Sequence, residues 1–525
     1  MKAVHIIASV VLLSVAVGGM VIYKVMDDAA LTAATDSANI DHTVNIGVDN
    51  WAGYSILCSA EMRRIALDRR VLVKCHDDQA NYGSRMSKLK SGDLEMAVAT
   101  VDGYVLAGVD EDYPASIAFV IDESQGGDVI VANRTIAENT DDLKGKTGLR
   151  ITFTPDSPSQ TLVTAWSTHF DVPINDSSKF TVVPANGSSD AAQKLLSGQA
   201  DVAVLWEPDA SRVLENGNVV KLLGSESTKN LIVDVLLVNQ RYATNNPEVV
   251  KIISDSYFVA LEYYKARPDE FNEAIASYTN VIDDDKIETL KQGIKWIDLP
   301  HNAIEWLGIS HNNVIARRGL YDAIDSSVRL YMDSGDLTSN PLPGGDPFRL
   351  INSTAFADTF ERGMAGNLGV LFQALTKVTD TSVTREFKKM SPGRWAKLRD
   401  VGSLRLQPIT FSRGTAELNP TDQDAFRNLV EMLETYPHYR IKVVGHTGWS
   451  RRESDTVKAA NMDLSKARAL RAADYLMDKY GIHKNRIYTL GLGSTEPPIR
   501  EAGESNRSWY AKWPRVELIL VEGEY

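Results

Sequence analysis

Two stretches, MSKLKSGDLEMAVAT at residues 86–100 and AQKLLSGQADVAVLW at residues 192–206, spell one local plan twice: a helix, a Ser-Gly turn and a buried apolar strand. Each sits inside a longer strand-helix alternation. The first runs from the strand TVNIGVDNW through the helix AGYSILCSAEMRRIALDRR, the strand VLVKCHDD and the short helix YGSRMSKLKSGD to LEMAVATVDGYV. The second opens at DLKGKTGLRITFTPDSPSQTLVTAW and continues through KFTVVPANGSSDAAQKLLSGQADVAVLWEPDASRVLENG. Such alternation predicts parallel strands with crossover helices, an α/β layer architecture. Two lobes of related plan in succession predict a cleft between them.

A chain of 525 residues exceeds one ordinary domain and is read as about two to four compact units. The formal charge of −13 argues against a polyanion partner, so nucleic acid is excluded. Residues 3–23 form an almost unbroken apolar run between Lys2 and Lys24. About 20 residues suffice to cross a bilayer as a helix, so the run is read as a single-pass inner-membrane anchor, with Lys2 favouring an N-in orientation. The alternative is a secretory signal cleaved near DAALTAATDSA, giving a secreted periplasmic protein. Either reading exports the bulk of the chain to the periplasm. The two cysteines, Cys58 and Cys75, are read either as a disulfide closing a short loop or as buried free thiols.

Catalytic signatures are missing. No G-x-S-x-G, P-loop, dinucleotide fingerprint or H-E-x-x-H occurs, and the nine histidines show no metal-site spacing. Ser87 and Lys90 have S-x-x-K spacing, but they lie on a helix whose charge placement explains them. No cofactor, metal or catalytic residue is therefore expected.

The last unit, residues 405–525, reads as β-α-β-α-β: QPITFSRGTAEL as a first strand, a helix starting at Asn419-Pro420-Thr421, RIKVVGHT, a second helix, then RIYTLGLGS and PRVELILVE. Phe426, Leu429, Val430 and Leu433 make one apolar helix face, and Leu470, Ala473, Met477 and Tyr480 line the next helix. The predicted fold is thus α/β and α+β multidomain. Residues 1–43 are anchor or signal with a polar linker, and 44–345 the two-lobed unit, its second lobe at about 129–222. Residues 346–404 are a linker with a helical segment, set off by Pro and Gly.

In the order IGVDNWAGY, DLKGKTG, SGQADVAVLWEPDA and NPLPGGDPFRLINSTAF, residues 44–355 resemble the periplasmic substrate-binding proteins of ABC transporters, in the nitrate, sulfonate and taurine group. The resemblance implies ligand contacts from loops after the strands: Asp49, Trp51, Thr100 and Asp102 in one lobe, and Ser157, Ser159, Thr161, Trp206 and Glu207 in the other. TPDSPSQT before a helix suits the anion of a sulfonate or phosphonate, although Asp156 opposes it. Asp49 and Asp102 suit an amine, so a zwitterion would satisfy both. These acids otherwise serve as caps or solvated loop residues, and the tryptophans as core.

The C-terminal unit resembles the OmpA-like peptidoglycan-binding domain. The residues concerned are Gly445-His446-Thr447, Asn461 with Leu464-Ser465 and Arg468-Ala469, Gly491-Leu492-Gly493, and Arg515-Val516-Glu517. By this resemblance Arg468 takes the carboxylate of a diaminopimelate side chain, with Leu464 packing its helix and Thr447, Asn461 and Arg515 at the mouth. Asn461 is equally read as a helix cap, and Arg515 as the partner of a neighbouring acid. Where the family usually has an aspartate for the ligand ammonium, this chain has Gly448, and Asp455 or Glu453 would have to fold back to replace it. The implied partners are peptidoglycan, a small solute, and an ABC permease or another inner-membrane protein. A stator-like linker between membrane and wall is the rival layout.

Overall fold

The computed structural model describes residues 40–309, 316–365, 387–405, 409, 411, 414–418, 423–449, 454–500 and 503–522. The apolar run at 3–23, Glu453 and the helix start at 419–421 lie outside them. Among the described residues no helix is long and apolar enough to cross a membrane.

Four strands come first: β1 (His42–Val48), β2 (Val71–Asp77), β3 (Met96–Thr100) and β4 (Ala115–Ser124). After only Gln125, Gly126 and Gly127 the chain enters a second sheet made of β5 (Asp128–Asn133), β6 (Leu149–Phe153), β7 (Phe180–Pro184), β8 (Val202–Trp206) and β9 (Val219–Gly224). It then returns through residues 225–232 to β10 (Val233–Asn239) and β11 (Ile294–Trp296). The sheet orders are β11-β4-β10-β3-β1-β2 and β7-β6-β8-β5-β9. The strands joined by helices, β1 with β2 and β3, and β6 with β7 and β8, are parallel. These are the strands read as parallel from the alternation; the pairings of β4, β5, β9 and β10, which lie outside it, are antiparallel. One crossing leaves the first lobe and the other re-enters it, so the strands that carry them run in opposite directions.

The repeated Ser-Gly turn has the same cause in both lobes. Gly92 ends the helix Tyr82–Ser91 at φ 86° and Gly198 follows the helix Ser188–Leu196 at φ 73°, a left-handed conformation open to glycine without a Cβ penalty. Fully buried β3 and β8 follow, ending at Thr100 and Trp206. Cys58 and Cys75 form a disulfide, with Cα atoms 6.0 Å apart. The helix Thr354–Ala365 lies on the first lobe, where Arg362 and Arg69 both bond Asp255.

The third sheet holds β12 (Asp400–Ser403), β13 (Arg440–Gly445), β14 (Ile487–Gly491) and β15 (Val516–Val521), in the order β12-β15-β13-β14. Of the expected first strand, the described residues contribute one bridge, Phe411 to Leu418. The sheet edge is taken by β12 instead, which the Arg399–Glu522 and Lys442–Asp400 ion pairs hold in place.

This sheet shares one hydrophobic core with the second lobe, whereas the first lobe has its own. Phe170 of the lobe packs against Tyr436 with ring centroids 5.7 Å apart, and His169 Nδ1 bonds the Tyr436 hydroxyl at 2.9 Å. Ser403 donates N–H and O–H to Asp141, and Lys144 donates to the Ser403 carbonyl. Burying a large aromatic in such a junction contributes about 3 kcal/mol. Tyr436→Ala is therefore expected to lower the melting temperature of the second lobe and the C-terminal unit together. Calorimetry checks this, and loss confined to one unit would contradict a shared core.

Candidate functional site

Between the lobes lies a small cavity of about 20 Å³, partly open to solvent, lined by Asp49, Trp51, Tyr54, Tyr82, Asp128, Trp206 and Asp234 among others. That is room for about one water molecule, so a larger ligand enters only if the lobes part. Asp49 follows β1; its carboxylate accepts from Trp51 N at 3.0 Å and from Arg85 at 3.1 Å. Arg85, fully buried, also grips Asp78 through two nitrogens and donates to the Val98 carbonyl. Asp122 on β4 accepts from Trp51 Nε1 at 3.1 Å. Asp234 on β10 stands opposite Asp122 in register and accepts from the Tyr54 hydroxyl. Asp128 opens β5 and accepts from Ser124 Oγ at 2.7 Å.

Burial drives the electrostatics of this group. It pushes the Asp128 carboxyl up to about 7 and that of Asp102 up to about 6, and it raises Asp49 against the pull of Arg85. Burial also raises Asp122 and Asp234; the Asp122 charge raises Asp234 further, whereas the bond to Asp234 pulls Asp122 back.

Of the residues named from sequence, Asp49, Trp51 and Trp206 line the cavity. Asp102 and Thr161 meet each other: the Thr161 hydroxyl donates to Asp102 and contacts the Tyr331 hydroxyl, a buried bond from one lobe to the other. Trp206 Nε1 makes a second interlobe bond to Asn50 at 3.0 Å. Thr100 caps the helix Val101–Ala107, Ser157 caps Pro158–Phe170, and Glu207 accepts from Ser211, so these three satisfy local backbone or neighbours. Ser159 is buried in the first turn of the same helix as Thr161. The loop read as an anion site thus has its Ser157 and Thr161 hydroxyls already engaged. Tyr54, Tyr82, Asp122, Asp128 and Asp234 escaped the sequence reading. The signal was a single aspartate inside an otherwise apolar strand, as in AFVIDES and LIVDVLLVN.

In the C-terminal unit, the helix Asp455–Tyr480 lies so close to the sheet that a Cβ on Gly445 would stand 2.0 Å from the Ser465 carbonyl, and one on Gly491 2.4 Å from Lys466 N. Ser465 Oγ accepts from Gly493 N at 2.9 Å and pins the approach. The buried helix face is accordingly Ser465, Arg468, Ala469, Ala472, Ala473 and Leu476, whereas Leu470 is half exposed, a correction to the face read from sequence. The cap is Ser454, so Asn461 sits within the helix rather than at its start. Leu464 is half-buried beside it.

Arg468 is 4% exposed and donates to the carbonyls of Thr415 (3.0 Å) and His446 (3.3 Å), with Phe411 against its guanidinium. Among the described residues it has no carboxylate partner, and burial lowers its proton affinity. The Thr447 hydroxyl, also buried, has no hydrogen-bond partner. Arg515 pairs with Glu517 at 2.6 Å. Asp455 is fully exposed, 3.8 Å from Lys458, and is not brought to the mouth because it opens the helix on its solvent side.

Residues 77–271 match the NMT1/THI5-like family, and residues 410–510 match the OmpA family. The chain therefore carries an NMT1/THI5-like segment followed by a segment of the OmpA family. Over 112 residues it is 31% identical to the probable lipoprotein YiaD of Escherichia coli (strain K12), covering 21% of this chain and 47% of that protein. Over 100 residues it is 26% identical to outer membrane porin F of Pseudomonas aeruginosa, covering 19% and 27%. The chain thus spans less than half the length of these curated relatives. Among solved structures, the alkanesulfonate-binding protein SsuA from Xanthomonas axonopodis pv. citri bound to MOPS is similar at TM-score 0.43 and 16% identity, over 60% of this chain and 97% of that one. The desulfurization enzyme DSZB is similar at TM-score 0.42 and 11% identity, over 61% and 99%.

The raised Asp128 carboxyl sets a sign for stability against pH. In acid the group is protonated in both states; between about pH 4 and 7 the unfolded chain ionises first, so the empty protein loses stability across that window. Asp128→Asn removes the loss. The variant should melt at the parent's temperature near pH 4 and above it at pH 8, by roughly 2–4 °C per kcal/mol recovered.

Proposed function

We propose that this protein is a non-enzymatic envelope component that captures a small polar solute between its lobes and attaches to peptidoglycan through its C-terminal domain. The observation that supports capture is the cavity walled from both lobes, with Asp49, Trp51 and Asp234 on one side and Asp128 and Trp206 on the other. Of the solute classes considered from sequence, a zwitterion fits the acidic lining, whereas sulfonate and phosphonate have no basic side chain there to meet them. The apolar run at residues 3–23 is taken as a single-pass inner-membrane anchor, holding the solute-binding unit in the periplasm within reach of an ABC permease. A secreted periplasmic form after signal cleavage is the alternative.

Attachment to the wall rests on Arg468. A buried guanidinium held by two carbonyls, with no carboxylate partner among the described residues, is preorganised to receive one from a stem peptide, and such a charge-assisted bond contributes about 1.5–3 kcal/mol. The rival reading, a structural link between membrane and wall that uses the solute fold as a partner-docking domain, draws support from the core that the second lobe shares with the wall-binding unit.

Two variants test attachment in pull-downs of the full chain on purified peptidoglycan. Arg468→Ala should reduce retention by about ten-fold or more, and equal retention would sink the site. Among the described residues a Cβ at Gly448 would meet only Pro514, at 3.8 Å, an ordinary contact, so the backbone there has room to start a side chain and Gly448→Asp is the natural variant. It should strengthen retention by supplying the carboxylate for the ligand ammonium.

A further inference from the structure

The interlobe cavity has a charge imbalance that its own residues do not settle. Asp49, Asp128 and Asp234 face it, and Asp122 lies directly behind Trp51. Arg85 is the cation at hand, and it is already divided between Asp78, Asp49 and a backbone carbonyl. Asp128 and Asp234 are met by neutral hydroxyls, those of Ser124 and Tyr54, and Asp122 has only Trp51 and the facing Asp234 carboxyl. Unpaired charge in so buried a place costs several kcal/mol per ion, so these carboxyls are either protonated or answered by a charge from outside.

The walls between the acids are aromatic: Trp51, Tyr54, Tyr82 and Trp206. Tyr82 already carries the Arg85 guanidinium over its face at 4.7 Å. Aromatic faces beside carboxylates suit a desolvated ammonium group, held by ring quadrupole and charge together. A bare metal ion fits less well, because among the described residues no three His, Cys, Asp or Glu side chains converge as metal ligands.

We infer that the cavity binds a small organic ammonium cation, its charge met by Asp49, Asp128 and Asp234 and its alkyl groups by Trp51, Tyr54 and Trp206. This rests on the solute-capture reading and names the ligand class. Binding displaces protons: as the cation enters, a carboxyl that was neutral ionises and its proton leaves to solvent. The titratable and charged groups around the cavity lie on every element packed against it: Asp49 after β1, Asp78 and Arg85 beside it, Asp102 after β3, Asp122 and Glu123 on β4, Asp128 on β5, Glu207 after β8 and Asp234 on β10. Burial that raises Asp128 makes affinity for the cation climb as pH rises from about 6 to 8.

The test uses the full chain with choline and ethylammonium, the uncharged choline isostere 3,3-dimethylbutanol, and methanesulfonate and methylphosphonate. The expected result is a rise in melting temperature with an ammonium probe and none with the isostere. Calorimetry in buffers of differing ionisation enthalpy should show proton release, and Asp128→Asn or Asp234→Asn should weaken binding about ten-fold or more. Melting of each variant without ligand shows that it is folded. Stabilisation by methanesulfonate or methylphosphonate but by neither ammonium overturns the cation class and leaves solute capture standing. Stabilisation by the isostere as large as by choline overturns the role of charge. No stabilisation by any probe counts against both readings.

Discussion

Ser225 ties the two chain crossings together, and the cleft depends on that tie. Its hydroxyl bonds Ser124 at the end of β4 and accepts N–H bonds from Gly126 and Asp128 at the start of β5, while Ser225 itself begins the return path to β10. Both crossings are therefore held at one buried point. The same stretch of chain carries Asp122 and Asp128, and the return path leads into β10 with Asp234. The floor of the cavity and the junction between the lobes are one piece of structure.

Closure is marked by bonds that run from lobe to lobe. Asp102 with Thr161 and Tyr331, and Trp206 with Asn50, all join across the cleft. Each pairs buried polar groups that would meet water if the lobes parted, so their net worth is modest while their geometric demand is strict. The second lobe does not move alone. Its core continues into the C-terminal sheet through Phe170, Tyr436 and the Ser403–Asp141 bonds, so the second lobe and the C-terminal unit pack as one body.

Much of this was legible in the residues. The doubled helix, Ser-Gly turn and strand pointed to two related lobes, and the turn glycines prove to occupy left-handed backbone. The G-H-T and N-x-x-L-S-x-x-R-A pattern pointed to a helix laid across a sheet with Arg468 at its inner edge, and Gly445, Gly491 and Ser465 supply the reason for the spacing. Asp49, Trp51 and Trp206 were readable as cavity residues because they follow strands at the lobe ends. Thr100 and Ser157 look the same in sequence but spend their side chains on helix caps, a use that competes locally with ligand contact.

Local periodicity and turn chemistry settle what each segment forms, because those are short-range effects of side-chain alternation and backbone freedom. On that basis the sequence by itself determined two α/β lobes, a C-terminal α/β unit and the single substitution at Gly448. Which acids share the cavity is a long-range matter. Asp122, Asp128 and Asp234 become neighbours only because β10 returns between β3 and β4, and no local signal reports that pairing. The union of the second lobe with the C-terminal unit and the outward position of Asp455 were likewise decided by the tertiary structure, since both depend on surfaces that exist only after the sheets have formed.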